Sequence, residues 1–363
     1  MGPGPAGSLS RCTLASDVIG FGVVGVGAIA GTHARAISIV PGARLVAVTD
    51  SSLESARRFA QTQPGCEAEP SLDALLARDD VDIVCVCTPS GFHAAVGKKA
   101  AQAGKHLVIE KPIDVTLEAA DELIETATRA GVQLTVISQH RFDPGLVELR
   151  ELIGQNRLGT LLLGHASTKW YRTQGYYDSA AWRGTWELDG GSLMNQGIHY
   201  VDLLLASLGP VDEVTAISAT QAHQIEVEDT ALALLRFRNG ALGTLVSSTC
   251  VYPGFAQRLE VTGTGGTVVI EDGEIVSRGL RADQAASATG QAEPPPPATA
   301  EGAFTPAVGD AAHAAQLTDF LSAIRDDRPP AVTAQDGRDA LEVVLAVYES
   351  SRQGRPIKLG VLR

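Results

Sequence analysis

Lys111 stands between an apolar run, His106-Leu-Val-Ile109, and a proline, in the triplet Glu110-Lys111-Pro112. A residue before proline is pushed out of the α region. The lysine is therefore held at a fixed, partly enclosed strand end, where its ammonium can donate to a hydroxyl or carbonyl. Desolvation there would lower its pKa towards the range useful for proton transfer. Spacing alone equally allows a surface lysine paired with Glu110. A second candidate is His199, four residues after Asn195 and three before Asp202 in a helical stretch from Ser192 to Ser207. Those spacings share one helix face. A histidine there suits a general base near neutral pH, or a packing role at an interface. Asp202, deeper in the helix, is expected to hold structure.

A third pattern is Gly25-Val-Gly27-Ala28-Ile29-Ala30, which follows an apolar run and opens an amphipathic segment. A second apolar run then ends on Asp50. This is the order of the first βαβ unit of a dinucleotide-binding fold. Gly25 makes the tight turn, Gly27 admits a pyrophosphate, and Ala30 packs helix on strand. Backbone N–H groups at the helix start would face the phosphates. Asp50 would accept hydrogen bonds from the adenosine ribose and repel a 2′-phosphate, which favours NAD over NADP. Arg57 and Arg58 keep NADP open, and Asp50 could instead cap the helix that begins at Ser51.

The elements around these residues alternate. Asp82–Cys87 is a continuous apolar strand, stopped by Thr88-Pro89-Ser90, and a helix follows from Gly91 to Ala103. His106–Ile109 is the next strand, then a helix over Thr116–Ala130 and a strand over Val132–Ile137. This is a doubly wound parallel sheet over residues 17–140. Beyond it the rhythm changes. Thr160–Trp170 is a long strand, 171–191 an aromatic and glycine-rich loop, and 211–219, 228–238, 241–249, 256–262 and 267–270 are strands at hairpin spacing. Residues 141–363 thus form an α+β domain. Residues 281–311 are a low-complexity loop, and a C-terminal helix is placed to pack back on the first domain. Residues 1–16 are Gly/Pro/Ser-rich and expected to be disordered.

Composition excludes several classes. A net charge of -13 argues against nucleic-acid binding. No apolar run is long enough for a transmembrane helix, so a cytoplasmic enzyme is expected. The five cysteines show no CxxC pair, and Cys85 and Cys87 read as buried strand residues. The histidines form no ligand-spaced pair, so no metal site is expected. The chain has six lysines against 23 arginines, which makes Lys111 stand out.

Taken together, GVGAIA (Gly25–Ala30), Asp50, CTPSGFH (Cys87–His93), EKP (Glu110–Pro112), QHRF (Gln139–Phe142) and DGGSLMNQGIHYVD (Asp189–Asp202) resemble the glucose–fructose oxidoreductase, inositol 2-dehydrogenase and rhizopine-catabolism (Gfo/Idh/MocA) family. The resemblance runs from about Val18 to Leu359. It implies an N-terminal Rossmann domain and an open-faced, largely antiparallel C-terminal sheet used for substrate and for homodimer or homotetramer formation. It implies NAD-dependent hydride transfer at a secondary alcohol or ketone of a sugar, nucleotide sugar or cyclitol. By position, Lys111 would hydrogen-bond the reacting oxygen and His199 would be the acid/base. Gly25, Gly27, Ala28, Ile29, Asp50, Thr88, Pro89, His93, Glu110 and Lys111 would serve the cofactor. Arg141, Lys169, Tyr171, Arg172, Trp182, Arg183 and Asn195 would join Lys111 and His199 around the sugar. Many members carry an aspartate where this chain has Asn195. An amide takes no proton, which leaves Asn195 the task of orienting substrate. The same family contains a dinucleotide-binding regulator and glycosidases that use held NAD, and these are the two rival functions.

Overall fold

The computed structural model describes residues 18–284 and 310–360. The expected disorder over 1–16, Cys12, and most of the 281–311 loop lie outside those residues. Two pieces of that loop are helical: Arg281–Gln284, and the start of Asp310–Arg325.

The first sheet is built of β1 (Ile19–Val24), β2 (Ala43–Thr49), β3 (Glu67–Ala68), β4 (Ile83–Val86), β5 (His106–Ile109) and β6 (Leu134–Val136). Every residue of β1, β4, β5 and β6 is buried. Continuous apolar strands cannot face water on either side, so helices cover both faces and the pairing is parallel throughout. The order is β3-β2-β1-β4-β5-β6. The connection reverses between β1 and β4, which opens a crevice at their carboxyl ends.

The second sheet contains β7 (Leu161–Lys169), β8 (Val211–Ala219), β9 (Thr230–Phe237), β10 (Leu242–Ser248), β11 (Arg258–Gly263), β12 (Gly266–Glu271), β13 (Glu274–Leu280) and β14 (Ile357–Lys358). Its order is β13-β12-β11-β7-β10-β9-β8-β14, and only the β7–β10 pair is parallel. Strand β9 alternates strictly: Ala231, Ala233, Leu235 and Phe237 point into the core. They share it with the helices Ile198–Leu208 and Ala334–Gln353. The other face carries Leu163, Ile217, Leu232, Leu234 and Leu242, all exposed.

Helix Ala334–Gln353 packs on β8 of the second sheet and on β6 of the first, which ties the two together. Helix Asp310–Arg325 packs against Ala28–Ile39, and its Gln316 bonds the ends of β6, accepting from Ser138 N at 3.0 Å and donating to Val136 O at 2.8 Å. The Ala334–Gln353 helix starts with a capping box, Thr333 with Asp336.

Three elements differ from the sequence expectation. Strand β3 is two residues long and carries no pattern. Strand β13 follows Asp272-Gly273, a hairpin signal in which both residues adopt positive φ; that dipeptide marks a strand the apolar pattern of β13 does not. The helix expected as one piece over Ser192–Ser207 is in two parts. A π-helical turn, Ser192–Gly197, precedes an α-helix, Ile198–Leu208. The wider turn changes the angular relation of Asn195 and His199, so the α-helical spacing argument does not hold there.

Candidate active site

The crevice between β1 and β4 is a cleft of about 760 Å³. Gly25, Gly27, Ala28, Ile29, Asp50, Thr88, Pro89, His93, Glu110, Lys111, Trp182, Arg183 and Asn195 all line it. The carboxyl ends of the first sheet therefore meet the 171–191 loop and the Ser192–Gly197 turn in one space, and most of the residues expected to serve a cofactor or substrate share it.

The glycine turn fits a dinucleotide. Gly25 has φ +91, and a Cβ there would meet Cys87 O at 2.7 Å. A Cβ on Gly27 would meet nothing within 4 Å, because it would point into the open cleft. Gly27 caps the helix Ala28–Ile39 without a side-chain hydrogen bond, and the first turn holds no acid. Its N–H groups and dipole are thus available to an anion. Asp50 Oδ2 accepts from Val26 N at 2.9 Å, and Oδ1 accepts from Ser52 N at 2.9 Å. The helix cap is Ser52 itself, which accepts from Ser55 N. Ser51 Oγ also donates to Oδ1 at 3.2 Å, so Asp50 ties the glycine turn to the end of β2 and keeps a lone pair on Oδ2 for a ribose. Thr88 Oγ1 is buried in the cleft wall with no hydrogen-bond partner among the described residues. That orphaned hydroxyl also suits a ribose.

His93 and Glu110 act one layer behind. The His93 ring bridges two loops, with Nδ1 2.7 Å from Pro112 O and Nε2 2.9 Å from Thr88 O. Glu110 Oε1 lies 2.7 Å from His33 Nε2, and its Oε2 accepts from Lys111 N at 3.1 Å. Burial alone would raise the Glu110 pKa. The hydrogen bond and charge of His33 outweigh it and bring the carboxyl down to about 2. Burial would lower the His33 pKa; Cys87 first, then Cys85 and the Glu110 hydrogen bond, raise it above its ordinary value. A buried ion pair thus fixes the backbone at Lys111.

Lys111 is half-buried, and Glu110 is not its salt-bridge partner. Its Nζ donates to Asn195 O at 2.9 Å and approaches Asn195 Oδ1 at 3.4 Å. Burial lowers its pKa most; Arg183 and Arg172 lower it further, against Glu110 and Asp189. Asn195 Nδ2 in turn donates to buried Asp189, whose Oδ2 accepts from Gly184 N at 2.8 Å. Lys111 and His199 line one small cavity on the far side of the lysine. The His199 ring meets His140 edge-on at 5.2 Å. Burial first, then His140 and Lys111, hold its pKa well below the usual value, so the imidazole is neutral at neutral pH and ready to accept a proton.

Arg141 does not join them. Its guanidinium clamps Asp202 through Nε at 2.7 Å and Nη2 at 2.6 Å, and reaches Asp336 at 3.1 Å. This buried bidentate pair holds the Ile198–Leu208 helix, and with it His199, as expected for Asp202. Lys169 sits 5.6 Å from the Phe255 ring, and Tyr171 packs edge-on against Tyr252 at 5.2 Å; neither lines the cleft. The Tyr176 ring collects both Arg172 and Arg183, whose Cζ atoms lie 5.0 and 4.4 Å from its centroid.

Two groups of metal-ligand type were invisible to spacing. His33, Glu110 and His313 bring ligand atoms within 4.8 Å, as do His223, Asp229 and Cys250. Their members lie on separate elements. The sequence expectation concerned spacing along the chain and does not speak to these groups; Glu110 is engaged by His33. His223 uses both ring nitrogens, on Asp229 Oδ2 at 3.0 Å and Arg172 O at 2.9 Å.

A Rossmann sheet whose glycine turn shares a cleft with Lys111 and with an amide from the π-helical turn Ser192–Gly197 defines an NAD-binding oxidoreductase architecture. Residues 19–138 match the model of the oxidoreductase family with NAD-binding Rossmann fold, and residues 146–269 match the GFO/IDH/MocA C-terminal domain. The inositol 2-dehydrogenase of Rhizobium meliloti (strain 1021) is 29% identical over 93% of this chain and 98% of its own. The scyllo-inositol 2-dehydrogenase (NADP(+)) IolW of Bacillus subtilis (strain 168) is 25% identical over 94% of this chain and 96% of its own. The WlbA dehydrogenase of Bordetella pertussis, solved with NADH and UDP-GlcNAcA, superposes with a TM-score of 0.83 at 31% identity over 95% of this chain and 98% of its own. The chain belongs to the Gfo/Idh/MocA family.

Proposed function

We propose that this chain is an NAD-dependent dehydrogenase that oxidises a secondary alcohol of a sugar, nucleotide sugar or cyclitol, or reduces the matching ketone. The observation that carries the reading is the cleft in which the Gly25–Ile29 turn and Lys111 meet Asn195 of the π-helical turn Ser192–Gly197. Likeness to the inositol dehydrogenases and to WlbA supports the substrate class.

The dinucleotide would lie with its pyrophosphate at the Ala28–Ile39 N-terminus, its adenosine ribose at Asp50 and its nicotinamide ribose at Thr88 and Pro89. When bound it supplies the hydride acceptor. The chain's own residues handle the proton. Lys111 holds the reacting oxygen with its ammonium and stabilises negative charge developing there. His199, neutral because of its surroundings, takes the hydroxyl proton. Asn195 fixes the Lys111 ammonium, and Asp189 fixes the Asn195 amide. Donor and acceptor carbons must be held in near-attack contact, a task that falls to the first sheet's strand ends and the loop and π-helical turn opposite them.

Mixing the protein with NAD and a panel of sugars, inositols and UDP-sugars tests the reading. Net reduced nicotinamide with at least one compound is the expected result. Bond cleavage without net reduction would mark an NAD-using glycosidase, and cofactor binding without turnover across the panel would mark a regulator.

Asp50→Ala is expected to weaken NAD by about 10- to 100-fold, the range for a hydrogen bond to a charged group, and NADP much less. The variant also loosens the Val26 tether, which affects both cofactors, so the NAD/NADP ratio is the quantity to read. An unchanged ratio removes Asp50 from the ribose site.

The exposed leucines of the outer sheet face form an apolar surface of the kind that marks an interface, and we assign it to a homodimer or homotetramer contact. Sedimentation should show an oligomer that Leu234→Glu dissociates. A monomeric parent chain would contradict the assignment.

A further inference from the structure

The loop that closes the substrate side of the cleft concentrates positive charge in a protein whose net charge is -13. Arg172 and Arg183 have no ion-pair partner among the described residues. Both are oriented by aromatic rings: Arg172 lies 5.2 Å from Trp170 and 5.0 Å from Tyr176, and Arg183 lies 4.4 Å from Tyr176 and 4.6 Å from Trp182. A ring orients a guanidinium without neutralising it. Arg183 Nη1 also donates to Tyr176 OH at 2.7 Å, a neutral acceptor. The acids close by are otherwise engaged. Asp189 accepts from Gly184 N and Asn195 Nδ2, and Glu226 accepts from Trp186 N.

A second, independent observation points the same way. Arg172 Nε, Arg183 Nε and Trp170 Nε1 are buried with no hydrogen-bond partner among the described residues. All three are N–H donors. A buried donor left unmade is costly, and these three sit in one aromatic cluster beside the Lys111 ammonium. Arg183 itself lines the cleft. Guanidinium forks match carboxylate and phosphate oxygens in a way that neutral hydroxyls cannot.

We propose that Arg172 and Arg183 form an anion site, so that the substrate is an acidic sugar carrying a carboxylate or phosphoryl group. The proposal rests on the dehydrogenase reading only for calling this end of the cleft the substrate end. The reacting hydroxyl sits at Lys111, and the anionic group sits at the arginine pair.

Binding to the NADH-loaded protein, which blocks both turnover and the pyrophosphate site, is read by calorimetry. The probes are D-glucuronate, D-glucose 1-phosphate, and the neutral D-glucose and myo-inositol. At least one anionic probe should bind about tenfold or more tightly than either neutral one, by the strength of charge-assisted hydrogen bonds. Preference for glucuronate indicates a ring carboxylate, and preference for glucose 1-phosphate a phosphoryl group. Arg172→Gln and Arg183→Gln should each lose about tenfold for the preferred anion, with NADH affinity unchanged in Arg172→Gln as proof of folding. Equal binding of neutral and anionic probes, no anion binding, or anion binding indifferent to both substitutions overturns the proposal. The same probes are then mixed with NAD. Turnover of a neutral probe without arginine dependence leaves the dehydrogenase standing and removes the anion site. Arginine-dependent anion binding with no turnover anywhere in a wider panel does the reverse.

Discussion

Lys111→Ala should lower kcat/KM by about 10²- to 10⁴-fold, the range for removing a positioned proton-handling group, and leave NAD affinity nearly unchanged. The side chain ends against Asn195 of the π-helical turn, 2.9 Å from its carbonyl oxygen, and not on the glycine turn that would hold the phosphates. The backbone at 111 is held by Glu110 and the two-carbonyl bridge of His93, which the substitution leaves in place. Steady-state kinetics and a fluorescence titration with NAD separate the two effects. Equal loss of turnover and cofactor binding would assign Lys111 to the cofactor alone. The pH dependence has a defined sign. Burial and the two arginines lower the lysine pKa, so a step that needs the ammonium should decline as pH rises through a value below the ordinary lysine range of about 10.4.

His199→Gln should cost a comparable factor and also alter the pH profile. The base must be neutral to take a proton. Its surroundings hold the imidazole pKa well below 6.5, so kcat/KM should rise with pH along a limb that lies below 6.5 and be flat through neutrality. Glutamine keeps a polar side chain of similar reach but cannot take the proton, so the limb should vanish as the rate falls. A limb that survives unchanged belongs to another group, and His199 would then be a packing residue against His140.

The cofactor half of this site was legible because its chemistry is local in sequence. Gly25, Gly27 and Asp50 sit within one βαβ unit, and strand ends are marked by Thr88-Pro89 and Lys111-Pro112. Parallel strands buried on both faces announce themselves as apolar runs. The other half depends on contacts between distant segments. Nothing near Lys111 in sequence says that its ammonium meets Asn195, 84 residues away, or that Glu110 is claimed by His33. The motif QHRF places Arg141 near the substrate by resemblance, yet Asp202 and Asp336, both far along the chain, take its guanidinium. The π-helical turn at Ser192–Gly197 is equally silent, since its residues would fit an α-helix. It is packed under Glu228, whose carboxylate accepts from Leu193 N at 2.7 Å; that tertiary bond sits at the start of the turn. The arginine and aromatic loop was visible as composition, but its unpaired charge emerges only once the ion pairs are known.

Hydride transfer is the central claim, and isotope transfer tests it most directly. The compound that reduces NAD in the panel is prepared with deuterium on the carbon bearing the reacting hydroxyl, and the reduced nicotinamide is analysed by mass spectrometry. The deuterium is expected in the nicotinamide ring, and Lys111→Ala is expected to slow its arrival. Deuterium released to water, or retained in the sugar while the product changes, would contradict hydride transfer.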